Sequence, residues 1–172
     1  MYGVTLVDDY AWLREKENPE TIAYLDAENA YAEAQTAELA TLRDTLYGEM
    51  LSHIKQTDVS VPYRDGAWWY YSRTEEGKQY SIYCRKRGGE QGPAADAAEE
   101  IVLDGNALAE GQAFFAIGDT SISPDGEWLA YTTDLTGFRQ YTLHVKNLVS
   151  GETLPLTVER VGSVVWAADN ST

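Results

Sequence analysis

Asp65-Gly66-Ala67-Trp68-Trp69-Tyr70-Tyr71 returns sixty positions later as Asp125-Gly126-Glu127-Trp128-Leu129-Ala130-Tyr131. Each copy joins an Asp-Gly turn to a run of aromatic and apolar residues, the pattern of a tight hairpin turn leading into a buried strand. At the same offset Gly77 falls on Gly137, and with one residue inserted Gln79-Tyr80-Ser81-Ile82 falls on Gln140-Tyr141-Thr142-Leu143. Landmarks recurring in one order mark an internal repeat.

Further along, Ile122-Ser123-Pro124-Asp125-Gly126 aligns with Trp166-Ala167-Ala168-Asp169-Asn170 at an offset of 44. The unit is therefore about 44 residues, and the Gly/Ala/acid-rich stretch 88–100 reads as an inserted surface loop that lengthens the first spacing. Within the first unit, Val59, Val61 and Tyr63 alternate as one strand and residues 67–73 form the next. The turn Glu75-Glu76-Gly77-Lys78 leads into residues 80–86, with Tyr80, Ile82 and Cys84 on one face. A four-stranded unit of this length is the size of a propeller blade, which buries its faces only against neighbouring blades. Residues 56–172 supply 117 residues, fewer than the roughly 176 that even four such blades need. The expectation is two blades and the opening of a third, the chain stopping inside a repeat at Asn170-Ser171-Thr172 as part of something larger. A self-contained sandwich with similar hairpins is the alternative.

Before the repeats, residues 18–54 are rich in Ala, Glu and Leu, with no proline after Pro19. Asn18 is placed to cap a helix whose first position is Pro19, where the missing N–H is no loss. Ile22, Leu25, Asn29 and Ala32 form one helical stripe, with Tyr24, Ala27, Tyr31 and Ala34 beside it. Leu39, Leu42, Leu46 and Met50 run in a new register, so a break is expected between Gln35 and Thr41 and two packed helices on either side. Residues 4–6 read as extended, and the turn after them as an anchor that buries Trp12. The fold class is α+β by content: a helical extension, residues 1–55, then an incomplete antiparallel propeller, residues 56–172.

Composition narrows the function. Thirteen Lys and Arg against 28 Asp and Glu give a net charge of −15, which repels nucleic acid and anionic lipid. No apolar run approaches the roughly 18 residues of a membrane helix, and residues 1–9 lack a secretory signal pattern. Cys84, the one cysteine, has no disulfide partner, in keeping with a reducing, cytoplasmic setting and a plain strand role.

Asp8-Asp9-Tyr10-Ala11-Trp12-Leu13-Arg14, Asn18-Pro19-Glu20 and Tyr24-Leu25-Asp26-Ala27-Glu28-Asn29 together resemble the start of prolyl oligopeptidase family enzymes. Tyr70-Tyr71-Ser72-Arg73-Thr74-Glu75-Glu76-Gly77-Lys78-Gln79-Tyr80 is similar to the oligopeptidase B branch, as are Ser123-Pro124-Asp125-Gly126 and Gly137-Phe138-Arg139-Gln140-Tyr141. The resemblance implies a seven-bladed propeller that covers an α/β-hydrolase domain, with the helical extension packed on that domain. It also implies a serine peptidase cutting short peptides after Arg or Lys, the propeller excluding large folded proteins.

The chemistry of such an enzyme is missing from these residues. A serine hydrolase needs G-x-S-x-G to expose its nucleophile, and a histidine base oriented by an acid; no such elbow occurs. His53 reads as a helix-end residue near the last carbonyls, and His144 as a strand residue sharing a face with Thr142 and Lys146. Asp65-Gly66, Asp104-Gly105 and Asp125-Gly126 read as turns, and no zinc, calcium or phosphate-loop spacing is present. The Trp68-Trp69-Tyr70-Tyr71 cluster reads as blade core, and Arg85-Lys86-Arg87 as a solvated strand end. No catalytic, metal or cofactor residue is therefore assigned. The readings carried forward are an inactive amino-terminal portion of a serine oligopeptidase, a propeller scaffold without catalysis, and a chain whose open edges self-associate.

Overall fold

The computed structural model describes Gly3 and residues 7–169. The extended segment expected at residues 4–6 and the turn at residues 170–172 lie outside them. Two compact units divide the chain, Met1–Ile54 and Lys55–Thr172.

The first unit is helical. A 3-10 turn, Ala11–Arg14, precedes α1 (Pro19–Thr36), a second 3-10 turn, Ala37–Leu39, and α2 (Ala40–Ser52). Asn18 accepts from the Glu20 N–H at 3.0 Å and Pro19 opens the helix, satisfying an amide that has no partner within the helix. The break falls in the expected interval, but the helices are joined end to end, each touching the turn between them and not the length of the other. The reason is local: Ala37 and Ala40 keep right-handed helical dihedrals, and no glycine or proline reverses the chain there. Trp12 is half-buried and not the buried anchor expected. It meets Tyr24 edge-on, ring centroids 5.5 Å apart, while its carbonyl accepts from the Thr21 hydroxyl. Thr21 is the one buried residue described in α1 and α2.

The second unit contains two antiparallel sheets. In the first, β1 (Tyr63–Asp65), β2 (Trp68–Arg73) and β3 (Ile82–Gly89) lie side by side, β5 (Glu100–Asp104) pairs the other edge of β3, and β4 (Gly92–Pro93) folds back on the end of β3. A short helix, α3 (Gly105–Ala109), follows. The second sheet is β6 (Ala116–Ile122), β7 (Trp128–Asp134), β8 (Thr142–Asn147) and β9 (Val158–Glu159), in that order. These are two successive blades after a helical segment, the incomplete propeller that the repeat predicts. Between them Trp68, Tyr70, Val102 and Leu103 of one blade meet Leu129 and Tyr131 of the other in a single buried cluster. In β2 and β7 alternate residues fill the joint, because successive side chains of a strand point to opposite faces, while β5 contributes the consecutive Val102 and Leu103 where its register with β3 shifts.

The register corrects the repeat in three places. Trp68 pairs with Arg87 and Trp128 with Asn147, so the offset of 60 holds through the third strands and no residue is inserted between them. Tyr80 precedes β3, which starts at Ile82, and the first strand is only Tyr63–Asp65, with Val59 forming a lone bridge to Arg73. The extra length of the first repeat is also divided differently. Ile82 pairs with Asp104, 22 residues on, and Thr142 with Glu159, 17 residues on. From Asp104 to Ile122 is then 18 residues, against seven from Glu159 to Trp166. Most of the excess is α3 and residues 110–115, and the stretch 88–100, expected as a loop, contributes strand at both ends.

Residues 161–167 carry no regular secondary structure, yet they run along β6. Val164 N–H donates to Asp119 Oδ2 at 3.0 Å and the Trp166 indole N–H to the Ser121 carbonyl at 2.9 Å.

Candidate functional site

The residues weighed for chemistry are spread over strands and turns. Gly66 and Gly126 occupy turns at φ 57° and 75°, conformations open to glycine. Asp104-Gly105, expected as a turn, instead starts α3: the Asp104 carboxylate accepts from the N–H groups of Asn106 and Ala107. A Cβ on Gly105 would lie 2.8 Å from the Tyr80 Cβ, so the close approach of that helix needs glycine.

Arg85 is the largest departure from expectation. It is 4% exposed, not solvated. Its guanidinium lies 3.8 Å from the Trp68 ring centroid, pairs with Glu100 at 2.9 Å and donates across the joint to the Gly126 carbonyl. Arg87 covers the same ring at 4.3 Å and remains exposed. Lys146 reaches back in the opposite direction, its Nζ donating to the Val102 carbonyl at 3.0 Å, and burial pushes its pKa down. Cations from each blade therefore tie down carbonyls of the other, satisfying polar groups that the apolar joint would otherwise strand.

The aromatic quartet divides by face. Trp68 and Tyr70 are buried in the joint, whereas Trp69 donates to the Gly89 carbonyl at 2.9 Å and Tyr71 to Glu99 at 2.6 Å. Glu99 also accepts from Arg73 at 3.0 Å, and Arg73 pairs with Glu75 as well. The Tyr71 hydrogen bond, helped by Arg73, holds the Glu99 carboxyl below the usual range. Beneath this network the Cys84 thiol is 1% exposed and pushed up to about 11, by burial first and Glu99 second, so it stays protonated and unreactive.

Each histidine has its own local setting. His53 caps α2, its backbone N–H donating to the Met50 carbonyl at 3.2 Å. His144 stacks on Tyr131 with centroids 5.1 Å apart and shares a 2.9 Å hydrogen bond with the Thr133 hydroxyl; burial lowers its pKa. A hydroxyl beside an imidazole invites comparison with a nucleophile and base, but Thr133 is buried within a strand and not raised on an elbow. The neighbouring acid, Asp134, uses its carboxylate on its own loop, accepting from Thr136 N–H and hydroxyl and from Arg139 N–H at 2.6–2.8 Å. Sequence reasoning missed the Thr133–His144 pair because it follows from the β7–β8 register. Among the described residues no group of three or more His, Cys, Asp or Glu could hold a metal ion, and no helix is long and apolar enough to cross a membrane.

Residues 1–172 match the family model for the prolyl oligopeptidase N-terminal β-propeller domain. The chain belongs to the prolyl oligopeptidase family. Dipeptidyl aminopeptidase BI of Pseudoxanthomonas mexicana is 43% identical over 99% of this family member and 25% of its own length. Protease 2 of Moraxella lacunata is 35% identical over 96% and 24%. Among solved structures, oligopeptidase B from Leishmania major superposes with a TM-score of 0.83 at 35% identity, over 92% of this chain and 23% of that one. Oligopeptidase B from Trypanosoma brucei, in a closed form with covalently bound antipain, gives 0.81 at 35%, over 94% and 22%. This prolyl oligopeptidase family chain thus spans about a quarter of the length of the relatives it matches.

Proposed function

We propose that this chain is the propeller-forming and helical amino-terminal part of a serine oligopeptidase, and that none of its residues performs the chemistry. The observation that carries the reading is the match of the whole chain to about a quarter of family members that are named as peptidases. The sequence has no G-x-S-x-G elbow, and its two histidines lack an acid–nucleophile setting, so catalysis falls to a separate α/β-hydrolase domain. Two blades cannot cover both of their faces, and a ring completed by further blades gives them neighbours. In that ring the propeller restricts the active site to short peptides, working in the reducing cytoplasm.

Cleavage after Arg or Lys is the substrate reading, supported by the likeness to oligopeptidase B structures. A second reading, release of dipeptides from free amino ends, is favoured by the higher identity to the relative named a dipeptidyl aminopeptidase. One assay separates them. The 172-residue chain and its full-length polypeptide are each given an amino-blocked arginyl amide and an unblocked dipeptidyl amide. Turnover of the blocked substrate by the full-length protein alone is expected. Turnover of only the unblocked one selects the second reading, and hydrolysis by the 172-residue chain overturns the division of labour. Inactivity of both leaves a propeller scaffold.

A further inference from the structure

Aspartate followed by glycine occurs at Asp65-Gly66, Asp104-Gly105 and Asp125-Gly126, and the fold treats the first pair unlike the other two. Glycine has no side chain to shield its amide nitrogen, so that nitrogen can approach the Cγ of the aspartate before it. Attack there needs a carboxyl not held by donors and an N–H not committed to a carbonyl.

In the second and third pairs both groups are held. The Asp104 carboxylate accepts from the N–H groups of Asn106 and Ala107 at 2.9 and 3.3 Å and from the Asn106 side chain at 3.3 Å. Gly105 is buried, its N–H donating to the Ser81 carbonyl at 3.2 Å. The Asp125 carboxylate accepts from the Ser123 hydroxyl at 2.6 Å and the Glu127 N–H at 2.9 Å. These bonds, Ser123 foremost, hold its pKa below the usual carboxylate range and keep it in the ionised form, from which water does not leave. Gly126 is buried as well, and its N–H donates to the Ser123 carbonyl at 2.8 Å.

At the first pair neither group is held. Among the described residues nothing donates to the Asp65 carboxylate, and the Gly66 N–H has no acceptor. Asp65, Gly66 and Ala67 are all exposed, and a Cβ built on Gly66 would meet nothing within 4 Å, so a ring has room to close. The one side-chain bond to this turn, from Arg64 Nε to the Gly66 carbonyl at 3.1 Å, leaves the nitrogen free.

We propose that Asp65 is a modification site, isomerising spontaneously to isoaspartate. The Gly66 nitrogen bonds to Asp65 Cγ, and the carboxyl hydroxyl leaves with the amide proton as water, closing a succinimide. Water then reopens the ring. Breaking the bond from nitrogen to Cγ restores aspartate, whereas breaking the bond from nitrogen to the α-carbonyl carbon leaves the main chain running through Cβ and Cγ. The product carries an extra methylene in the backbone at the residue that pairs with Trp68, so the β1–β2 register no longer fits at its turn. Trp68 lies in the joint between the blades beneath Arg85, which puts the lesion next to the contacts that hold the blades together.

The test is to age the full-length polypeptide for several weeks at neutral pH and body temperature, folded and in guanidinium. Digestion with a protease that cuts before aspartate but not before isoaspartate, with electron-based fragmentation of the peptides, reads each pair separately. In the folded protein, isoaspartate at residue 65 is expected to exceed that at 104 and at 125 by at least about tenfold, since those sites must first break their hydrogen bonds. In guanidinium the preference should disappear. Similar accumulation at the three pairs in the folded protein, or none at residue 65, overturns the proposal. So does a preference that persists in guanidinium, which assigns it to neighbouring sequence and not to the fold.

Discussion

Arg85 shows how far a charged residue can travel from its expected setting. In sequence it is the first of three basic residues, the pattern of a solvated strand end; in the fold it is enclosed by Trp68, Glu100 and Gly126, from three separate segments. No local rule brings those together, so its burial was not legible. Replacing it with methionine keeps apolar volume but removes the ion pair, the ring contact and the bond across the joint. A loss of about 2–3 kcal/mol is expected, the size of a hydrogen bond to a charged group plus its ring contact. Glu100 remains partly solvated, which keeps the loss below that of breaking a fully buried pair. Arg87→Met removes only an exposed ring contact and should cost under about 1 kcal/mol. Urea unfolding of the two variants followed by tryptophan fluorescence measures the difference; equal losses would show that the crossing bond contributes nothing.

At the scale of elements, the strands were readable and their lengths were not. The Asp-Gly turns and aromatic runs marked β2, β3, β7 and β8 because they report a turn conformation and a buried face directly. β1 and β9 are short, and their residues are exposed, so they carry little of that signal. Composition places the excess of the first repeat in residues 88–100, whereas α3 and residues 110–115 hold most of it, α3 being positioned by a cap and a close approach that only the assembled blade reveals. Gly118 in β6 is a comparable case. A Cβ there would lie 2.5 Å from Thr132 Oγ1 and 2.7 Å from the Tyr141 ring, in a sheet where Thr132 is 1% exposed and also accepts from the Asp119 N–H. Gly118→Ala should therefore destabilise the second blade by about 1–3 kcal/mol, as overpacking does. Gly48→Ala, with open space around it, should be neutral or slightly stabilising in α2. The pair compared by thermal unfolding tests it, and a harmless Gly118→Ala would mean the blade yields there.

For the whole molecule, the informative feature is apolar surface left facing water. Leu39, Leu42, Leu46 and Met50 keep the spacing of a helix stripe, yet each is about half exposed or more, and Ile22 and Leu25 of α1 are similar. Burying such side chains is worth about 1.5–3 kcal/mol each, a drive toward association when the stripe is uncovered. The isolated 172-residue chain is expected to form concentration-dependent oligomers in sedimentation velocity, and Leu42→Glu with Leu46→Glu to shift it toward monomer. A compact monomer at every concentration would contradict this. Period, turn chemistry and the family-specific strings determined that helices precede propeller blades, since those features depend on residues close together along the chain. Which cations close the joint and where the extra residues of the first repeat go were decided only in three dimensions. They depend on register and on groups from distant segments meeting where water is excluded.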